Sequence, residues 1–345
     1  MTFRIALNFE DGATRFIDCN AGEKVLDAAY RNKVNLPMDC SDGVCGTCKC
    51  HAEQGSYDLG DEYIEDALTS EEAEEGFVLT CQMVPSSDCV VSVPVPSTAC
   101  KLAPASVEAQ VVAVERLSDN RVRLSVKAVE GAALPTFLPG QYVNLTIPGL
   151  GGMIRSYSFS SAPGADVATF LIRNVEGGAM GRYLAERAAP GDRLTLHGPL
   201  GSFYLREAKR PILMIAGGTG IAPMLAMLEL LAVQGTGGHP VHLIYGAHDA
   251  SDLVELDRIE ALQARITGFT FITTCSGENN AHPVNGRVND HVGAEQLQGG
   301  NVDVYVCGPP EMVEAVKTVI AESGVSVAHL YSEKFLPAQS EALAA

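Results

Sequence analysis

Cys40-Ser-Asp-Gly-Val-Cys45-Gly-Thr-Cys48 is the stretch that decides the fold of the first part of this 345-residue chain. Its three cysteines follow the spacing C-x4-C-x2-C, and a fourth, Cys81, comes after a gap of 32 residues. Three thiols from one short loop can reach one centre only if the backbone wraps tightly. Gly43 and Gly46 lie inside the loop, where glycine tolerates a positive φ or a close approach. The pattern therefore predicts four thiolates around one inorganic centre.

The spacing is the one that plant-type [2Fe–2S] clusters use. We assign four metal ligands: Cys40, Cys45, Cys48 and Cys81. Backbone N–H groups of such a loop can donate to the sulfurs and tune the reduction potential. A structural zinc site is the alternative, but zinc sites prefer two C-x2-C pairs and only one is present. Cys50 and Cys89 compete for ligand positions without keeping the spacing. Residues 1–96 are expected to form a one-electron carrier.

Length and composition predict several domains and no membrane segment. A chain of 345 residues is long enough for two or three domains, and 46% of it is hydrophobic. The other six cysteines are scattered, as reduced cytosolic thiols would be. The N-terminus lacks the apolar core of a signal peptide. The uncharged stretch Pro211–Leu228 has the length of a membrane span, but its glycines and proline favour a strand, a loop and a helix. We expect a cytoplasmic, monomeric protein.

Negative charge is concentrated at one end of the chain. The net charge is −18, and residues 1–100 hold 18 acidic against 6 basic side chains. Two runs, 61–66 and 71–75, carry much of this excess. Solubility alone explains many acidic runs, whereas the functional interpretation is steering towards a basic protein partner. Nucleic acid is not expected as a partner, because phosphate binding needs the opposite sign.

Local patterns predict the elements of the first domain. The turn Asp11-Gly12 between alternating segments 3–9 and 14–18 indicates a hairpin. A short helix is expected over 24–32, and Thr69-x-x-Glu72 resembles a capping box. A strand over 90–95 closes the segment. This order is that of the β-grasp fold. A proline-rich linker over 97–106 follows.

Two further patterns divide the remainder. Six strands with one helix (179–188) predict a small antiparallel β-barrel over 107–206; the strands are 107–114, 121–129, 141–147, 155–160, 167–173 and 192–197. Apolar strands then alternate with helices, which predicts a parallel-sheet α/β domain over 207–337 with helices on both faces. Its strands are 212–216, 241–246, 269–273 and 302–306, and its helices are 222–234, 254–264 and 310–322. Residues 338–345 form a tail.

Arg155-Ser-Tyr-Ser-Phe-Ser160 lies on one of the barrel strands. Alternation places Arg155, Tyr157 and Phe159 on one side and Ser156, Ser158 and Ser160 on the other. Arginine can neutralise a pyrophosphate, tyrosine can pack on a flat ring, and serine can donate towards a ring nitrogen. A plain surface strand is the alternative. Downstream, Gly177-Gly178-Ala-Met-Gly181 opens the predicted helix, whose N–H groups suit phosphate. The two motifs together favour a flavin.

Gly217-Gly-Thr-Gly-Ile-Ala-Pro223 follows the first strand of the last domain and opens a helix. Its glycines let the backbone approach a pyrophosphate. The order of motifs resembles the ferredoxin–NADP reductase superfamily, whose flavin motif is R-x-Y-S and whose nucleotide loop is G-G-T-G-x-x-P. The family pattern has Gly-x-x-Ser at the second flavin site, where this chain has Gly178-x-x-Gly181 and lacks the hydroxyl. The predicted cofactor-binding residues of these regions are Arg155, Ser156, Tyr157, Ser158, Ile172, Arg173, Gly178, Met180, Gly181, Gly217, Gly218, Thr219, Gly220 and Pro223.

Cys307-Gly308-Pro309 and Tyr331-Ser-Glu333-Lys-Phe335 complete the resemblance. It implies that Cys307 lies beside the nicotinamide and that Phe335 covers the flavin, with Ser158 and Glu333 joining them as catalytic residues. Gly308 and Pro309 are implied to bind the nucleotide. A structural thiol and a hydrophobic anchor are the alternatives for Cys307 and Phe335. Ten residues follow Phe335 and must turn away or move.

The residues at the end of the second strand of the last domain, 241–246, indicate whether the protein uses NADH or NADPH. Tyr245-Gly-Ala-His-Asp249-Ala-Ser-Asp252 offers acids and no cation, and a 2′-phosphate would need a cation there. We therefore predict NADH, with Asp249 at the ribose.

The whole chain is similar to reductase components of benzoate/toluate-type 1,2-dioxygenases. Met38-Asp-Cys40, Tyr63-Ile-Glu-Asp-Ala-Leu68, Gly201-Ser-Phe-Tyr-Leu205 and Glu333-Lys-Phe335 carry this likeness. It implies electron transfer from NADH through FAD and a [2Fe–2S] cluster to a terminal Rieske oxygenase that binds the acidic domain. A reductase of a di-iron hydroxylase or of a deoxysugar dehydratase system has the same domain order. A zinc-stabilised binding module on a non-catalytic flavoprotein is the alternative from another class.

Overall fold

The computed structural model describes residues 1–38, 40, 42–100, 105–146, 153–175, 178–277 and 282–335. Several expectations lie outside these residues: Gly177, the middle of the linker, the last residue of the strand predicted over 141–147, and the tail. The described chain divides into two compact units. One unit holds the residues up to Ala105 together with Gly198–Ser202, and the other holds Ser106–His197 with the described residues from Phe203 on.

The first unit is built on a mixed five-stranded sheet in the order β2-β1-β7-β3-β5. The elements of this unit are β1 (Thr2–Phe9), β2 (Thr14–Asn20), α1 (Val25–Arg31), β3 (Lys49–Gln54), β4 (Tyr57–Asp58), α2 (Ser70–Glu74), β5 (Phe77–Leu79), β6 (Val84–Pro85) and β7 (Cys89–Val93). The predicted hairpin is confirmed, because β1 and β2 pair antiparallel across Asp11-Gly12. The predicted capping box is confirmed as well: Thr69 and Glu72 exchange hydrogen bonds at the start of α2.

A six-stranded sheet forms the first half of the second unit, except for Ala105 and residues 198–200 at the ends of two strands, in the order β11-β10-β13-β8-β9-β12. The elements are β8 (Ala105–Arg116), β9 (Arg121–Ala128), β10 (Tyr142–Thr146), β11 (Ile154–Ser158), β12 (Ala168–Arg173), α3 (Ala179–Glu186) and β13 (Arg193–Leu200). All six predicted strands are present within a few residues of their expected bounds. Phe159 and Phe170 lie at 0% exposure in the core beneath this sheet and form an isolated antiparallel bridge.

The second half of this unit is a parallel sheet in the order β16-β15-β14-β17-β18. The elements are β14 (Ile212–Gly217), α4 (Ile221–Gln234), β15 (Val241–Ala247), α5 (Leu256–Arg265), β16 (Phe269–Cys275), α6 (Ala294–Leu297), β17 (Asp303–Gly308), α7 (Pro310–Glu322) and β18 (His329–Lys334). Alternate side chains of β14 enter different cores: Met214 packs with α4 and α5, whereas Ile215 packs with α7. Helices on both faces of a parallel sheet are therefore confirmed.

The apolar stretch 211–228 is explained by this arrangement. It divides into β14, a 3-10 turn over Gly218–Gly220 and the start of α4, as the glycines and proline indicated. Within the described part of the chain, no helix has the length and apolarity to cross a bilayer. The strand order places β14 beside both β15 and β17, so the chain reverses direction across the sheet at β14. In open α/β sheets ligands bind at the carboxyl ends of strands at this switch point.

Candidate functional site

The four assigned cysteines lie in two pairs. The Sγ atoms of Cys40 and Cys45 are 3.0 Å apart, and the Cys45 backbone N–H also donates to Cys40 Sγ at 3.4 Å. Cys48 and Cys81 are hydrogen-bonded to each other, and Cys48 donation lowers the pKa of Cys81 to about 6. The backbone N–H of Gly43 donates to Cys81 as well and acts in the same direction.

This arrangement fits the donor set of a [2Fe–2S] cluster, in which four cysteines ligate two irons. The four thiols would hold the cluster, and the Gly43 N–H would supply a hydrogen bond to sulfur of the kind that tunes such centres. Among the described residues, no three or more His, Cys, Asp or Glu side chains are grouped to hold a single metal ion. Cys50 and Cys89, the competing thiols, are buried, and burial raises the pKa of each.

The cluster loop folds as it does because a second loop packs on it. Gly43 has φ +77°, and a Cβ there would lie 2.6 Å from the Glu62 carbonyl oxygen. The Ile64 N–H donates to the Gly43 carbonyl at 3.2 Å. A Cβ on Gly46 would lie 3.2 Å from the Ala67 carbonyl oxygen. The acidic run 61–66 therefore lies directly against the loop that carries three of the four cysteines.

The predicted flavin strand is β11, and its side chains alternate as expected. Tyr157 packs against the core under the six-stranded sheet, and Phe159 lies inside that core. On the other side, Ser156 donates to Asn144 at 2.7 Å and Ser158 donates to Glu333 at 3.3 Å. The partly exposed Arg155 donates to the carbonyl of the preceding residue at 2.7 Å. Burial raises the pKa of Tyr157, so its hydroxyl stays neutral.

The second flavin motif lies at the start of α3. Gly178 is the N-cap and makes no side-chain capping bond, so N–H groups of the first turn are left for a ligand. Gly181 is buried, and a Cβ there would lie 2.0 Å from Asn174 Oδ1. The side chain of Asn174 therefore occupies the space that a serine side chain at position 181 would need. Ile172 and Met180 are in the core, at 0% and 4% exposure, while Arg173 is exposed.

The nucleotide loop lies at the switch point of the parallel sheet. A Cβ on Gly220 would lie 2.2 Å from the Cys307 carbonyl oxygen, so glycine is required for β17 to approach this loop. Gly217 ends β14, and Thr219 is in the 3-10 turn. Pro223 is in the first turn of α4, and Pro309 is the N-cap of α7. The structure thus brings the G-G-T-G loop and Cys307-Gly308-Pro309 together.

The four predicted catalytic residues converge at the same edge. Cys307 and Glu333 are register partners on β17 and β18, and Cys307 Sγ lies 3.9 Å from Glu333 Oε2. The same carboxylate oxygen accepts the Ser158 hydroxyl from β11. Burial, then the Glu333 charge, raises the pKa of Cys307 well above its usual range, so it remains a thiol. The Phe335 N–H donates to the Gly308 carbonyl at 2.9 Å, which fixes the aromatic residue beside this group.

Asp249 lies where the sequence placed it, exposed and just beyond the carboxyl end of β15. Its Oδ1 is 3.1 Å from the position of a Cβ on Gly277, which follows β16. The second acid of that segment is different. Asp252 is buried and contacts Arg121 at 3.5 Å across the two halves of the unit.

Sequence reasoning missed a set of polar contacts between β9 and the segment after β15. Arg123 binds Glu255 at 2.8 Å, and the Glu255 side chain is 1% exposed. Arg121 contacts Asp252 nearby, and Arg258 of α5 donates to the Ser160 carbonyl at 2.7 Å. The signal that could have found the first two is the pair of arginines two apart on one strand, which alternation places on one face.

Three family models match successive parts of the chain. They are described as a 2Fe-2S iron-sulfur cluster binding domain (residues 8–86), an oxidoreductase FAD-binding domain (108–204) and an oxidoreductase NAD-binding domain (214–318). Together with the paired cysteines and the residues at the switch point, they define an iron–sulfur flavoprotein oxidoreductase with sites for a [2Fe–2S] cluster, FAD and NAD.

Relatives along the full length narrow this class. The toluate 1,2-dioxygenase electron transfer component of Pseudomonas putida is 52% identical over 335 residues, which cover 97% of this chain and 99% of that protein. The 2-halobenzoate 1,2-dioxygenase electron transfer component of Burkholderia cepacia is 45% identical, over 98% and 99%. The chain belongs to the family of dioxygenase electron transfer components, the reductases of these systems. The resemblance inferred from the motifs is thereby confirmed.

Solved structures agree with this assignment. The Amycolatopsis cytochrome P450 reductase GcoB matches with TM-score 0.71 and 31% identity, covering 96% of this chain and 99% of that one. The ferredoxin reductase in carbazole 1,9a-dioxygenase matches with TM-score 0.66 and 25% identity, over 97% and 99%. The ferredoxin reductase-like fold is therefore shared over nearly the whole chain.

Proposed function

We propose that this protein passes electrons from NADH, through FAD and a [2Fe–2S] cluster, to the Rieske-type terminal oxygenase of an aromatic-carboxylate 1,2-dioxygenase. The observation that carries the proposal is the meeting of Ser158, Glu333 and Cys307, because it joins the flavin strand to the nucleotide sheet at one point. The names of the two relatives, toluate and 2-halobenzoate dioxygenase components, support an aromatic carboxylate as the partner's substrate.

The residues at this point bind and orient rather than react. When bound, FAD takes two electrons from NADH as a hydride and releases them singly to the cluster. Ser158 offers a hydroxyl whose direction is set by Glu333. Cys307 presents a neutral thiol in a fully buried position, so no thiolate charge faces the ring that we place there. Gly220 lets the nucleotide loop approach Cys307 closely, and Phe335 supplies the aromatic surface that we assign to cover the flavin.

The remaining predicted residues fit the same scheme. We assign Arg155, Tyr157, Arg173 and the N–H groups after Gly178 to the flavin, and the loop 217–220 with Gly308 and Pro309 to NADH. Ile172 and Met180 are buried, so we assign them only backbone or packing roles. Four Cys ligands, at 40, 45, 48 and 81, hold the cluster. The structural alternative for Cys307, a simple packing thiol, predicts normal turnover in Cys307→Ala.

We infer two features of domain organisation as well. The bridge between Phe159 and Phe170, with the Ser160 N–H donating to the Thr169 carbonyl at 2.8 Å, supports closure of the six-stranded sheet into a barrel. The matched ranges lie inside the proposed domain bounds of 1–96, 107–206 and 207–337, which supports those bounds. A monomer is the proposed state, and its mass in light scattering should equal 36.4 kDa.

Electron transfer to such an oxygenase is downhill. Plant-type clusters lie near about −400 mV, and Rieske centres lie at about −150 mV or higher. A drop of about 250 mV is roughly 6 kcal/mol per electron, since about 59 mV is tenfold for one electron. The cluster is therefore the low-potential end of the transfer, and the surface around it is where the oxygenase must bind.

The acidic run 61–66 supports a docking role for that surface. It packs on the cluster loop, and it carries exposed carboxylates around Ile64, whose side chain is 44% exposed. An apolar residue surrounded by carboxylates suits a partner with a basic patch. The opposite charges steer the two proteins together, and the apolar residue is then buried in the contact. The acidic run 71–75 is the matched control, because it begins on α2 and includes Glu71 and Glu74, two exposed carboxylates of that helix.

Reconstitution tests the function. The holoenzyme with a purified benzoate or toluate 1,2-dioxygenase oxygenase should support NADH-dependent dihydroxylation. A double substitution at 62 and 66 (Glu62→Gln with Asp66→Asn) should raise the KM for the oxygenase at low salt, whereas Glu71→Gln with Glu74→Gln should not. If the two double variants raised the KM for the oxygenase equally, the docking role of the run 61–66 would be refuted. No dihydroxylation with any Rieske oxygenase, beside normal cytochrome c reduction, would remove the partner assignment.

A second partner class is favoured by one observation. The reductase component of propane 2-monooxygenase from Rhodococcus jostii is 33% identical over 91% of this chain and 86% of that protein. A hydroxylase of that system belongs in the same reconstitution series. We expect faster reduction of the dioxygenase partner, since the identity to dioxygenase components is higher.

A further inference from the structure

Arg121 is a buried cation beside the nucleotide loop, and none of the motifs includes it. It begins β9 in the flavin-binding half, and its side chain is 8% exposed. Its Nη2 lies 3.4 Å from where a Cβ on Gly218 would be, so the guanidinium reaches the loop that precedes α4. The helix behind this loop is 14 residues long and has no side-chain cap at its N-terminus.

The guanidinium is incompletely paired in this position. Buried arginines usually form short bidentate pairs with a carboxylate, at about 2.7–2.9 Å. Within the described ranges, one contact joins Nη2 to Asp252 at 3.5 Å, and Nη1 binds only the neighbouring Asn120. Nε is buried without a hydrogen-bond partner among the described residues. Asp252 is itself shared, since it also accepts Ser118 at 3.3 Å and Asn120 at 3.5 Å.

A second arginine lies next to Arg121 on the neighbouring strand. Arg173 ends β12 and is the register partner of Arg121 on the adjacent strand. It is exposed and has no ion-pair partner among the described residues. Burial lowers the pKa of Arg121; the Asp252 charge offsets part of this effect, and the Arg173 charge adds to it, so the net shift is downward. A dianionic group at the loop would offset this downward shift.

We propose that Arg121 binds the pyrophosphate of NADH from the flavin-binding half, opposite the backbone N–H groups of the loop 217–220. The inference rests on the proposed function, in which that loop holds NADH. Arg121 then links the two halves of the unit through the substrate, and the pyrophosphate competes with Asp252 for the guanidinium. Arginine can form a bidentate hydrogen bond with a phosphate, and its positive charge attracts the negative charge of that phosphate.

Direct binding of ADP-ribose tests this without turnover. Isothermal titration is run on holoenzyme whose FAD and iron contents are checked first, in wild type and the variants at two salt concentrations. Arg121→Gln should weaken ADP-ribose binding about tenfold or more and flatten its salt dependence, because a charge-assisted contact is lost. Arg121→Lys should recover part of the affinity through its charge.

Two variants separate a ligand from a structural ion pair. Arg123→Gln removes a cation from the same strand, one that pairs with Glu255 rather than reaching the loop, and should bind ADP-ribose as wild type does. Asp252→Asn frees Arg121 and should bind ADP-ribose as tightly as wild type or more tightly. Equal weakening by Arg121→Gln and either control, or wild-type affinity in Arg121→Gln, overturns the inference. Absence of binding to wild type would instead overturn NADH as the substrate.

Discussion

Gly220→Ala isolates the close approach on which the proposed site depends. Gly220 has φ −61° and ψ −9°, an ordinary right-handed conformation that alanine adopts without strain. The added methyl group would lie 2.2 Å from the Cys307 carbonyl oxygen and 3.0 Å from the Gly308 Cα. Both neighbours are backbone atoms, so no side chain can turn away to make room. The loop and β17 must separate by about 1 Å to reach ordinary contact.

The expected magnitudes follow from that displacement. Overpacking of this kind costs about 1–3 kcal/mol of unfolding free energy. A misplacement of about 1 Å at a reacting centre costs on the order of 100-fold in rate. Because Cys307 carries the affected carbonyl and contacts Glu333, the shift reaches the side chains that orient the reactants. We therefore expect Gly220→Ala to reduce kcat for NADH-dependent ferricyanide reduction about 100-fold.

Gly238→Ala is the matched control. Gly238 has φ +83°, and a methyl group added there would have nothing within 4 Å, so alanine costs about 1 kcal/mol through backbone strain alone. Both variants should lower the thermal midpoint, and both should retain FAD as judged by its absorption. Only Gly220→Ala should lose turnover. Turnover within threefold of wild type in Gly220→Ala would refute the reasoning that close approach at Cys307 sets the rate.

Three further changes test other parts of the structure. Cys45→Ser should lose iron and cytochrome c reduction but keep ferricyanide reduction, while Cys50→Ala keeps all three; loss of iron in both would contradict the ligand assignment. Gly181→Ser should tighten FAD binding about twofold to tenfold by adding a donor, because the flexible Asn174 side chain can move aside; a fall in flavin affinity would show that Asn174 cannot yield. Because the pKa of Cys307 is raised in the folded protein, the thiol loses its proton at a lower pH in the unfolded chain than in the folded one. The contribution of this thiol to the free energy of unfolding is therefore constant below about pH 8.5 and falls above it by up to about 1.4 kcal/mol per pH unit. Cys307→Ala should show a shallower fall in urea midpoint between about pH 8.5 and 10, and an unchanged slope would count against a buried neutral thiol.

Much of the fold was predictable because its signals are local. The hairpin at Asp11-Gly12, the capping box at Thr69 and the glycine loop after β14 each rest on neighbouring residues, and each is present. The strands β3 and β18 were not predicted as elements, and neither were the short strands β4, β5 and β6. Two or three residues are too few to show alternation, and such strands are defined by partners far along the chain.

The site was predictable where a motif fixes its own geometry and not where tertiary contacts decide. The sequence led to Ser158, Cys307 and Glu333 through resemblance, and the structure brings them together. The burial of Ile172 was hidden, because proximity to a motif does not tell which face of a strand a side chain takes. Arg121 was hidden for another reason: its carboxylate neighbour comes 131 positions later, at Asp252.

Asp249 is the residue on which the preference for NADH should depend, and the structure separates it from its neighbour. The sequence offered two acids after β15, but Asp252 is buried against Arg121 while Asp249 is exposed beside Gly277. A 2′-phosphate placed near Asp249 would be repelled by the carboxylate. In water this repulsion is about 1 kcal/mol per unit charge at 4 Å, so for a partly screened dianion the affinity for NADPH would fall roughly tenfold. Asp249→Asn should therefore lower the ratio of kcat/KM for NADH over NADPH about tenfold, mainly by improving NADPH. Asp257→Asn, an exposed acid in α5, should leave the ratio unchanged. If Asp249→Asn discriminates as strongly as wild type, the selection lies in the shape of the ribose pocket rather than in this carboxylate.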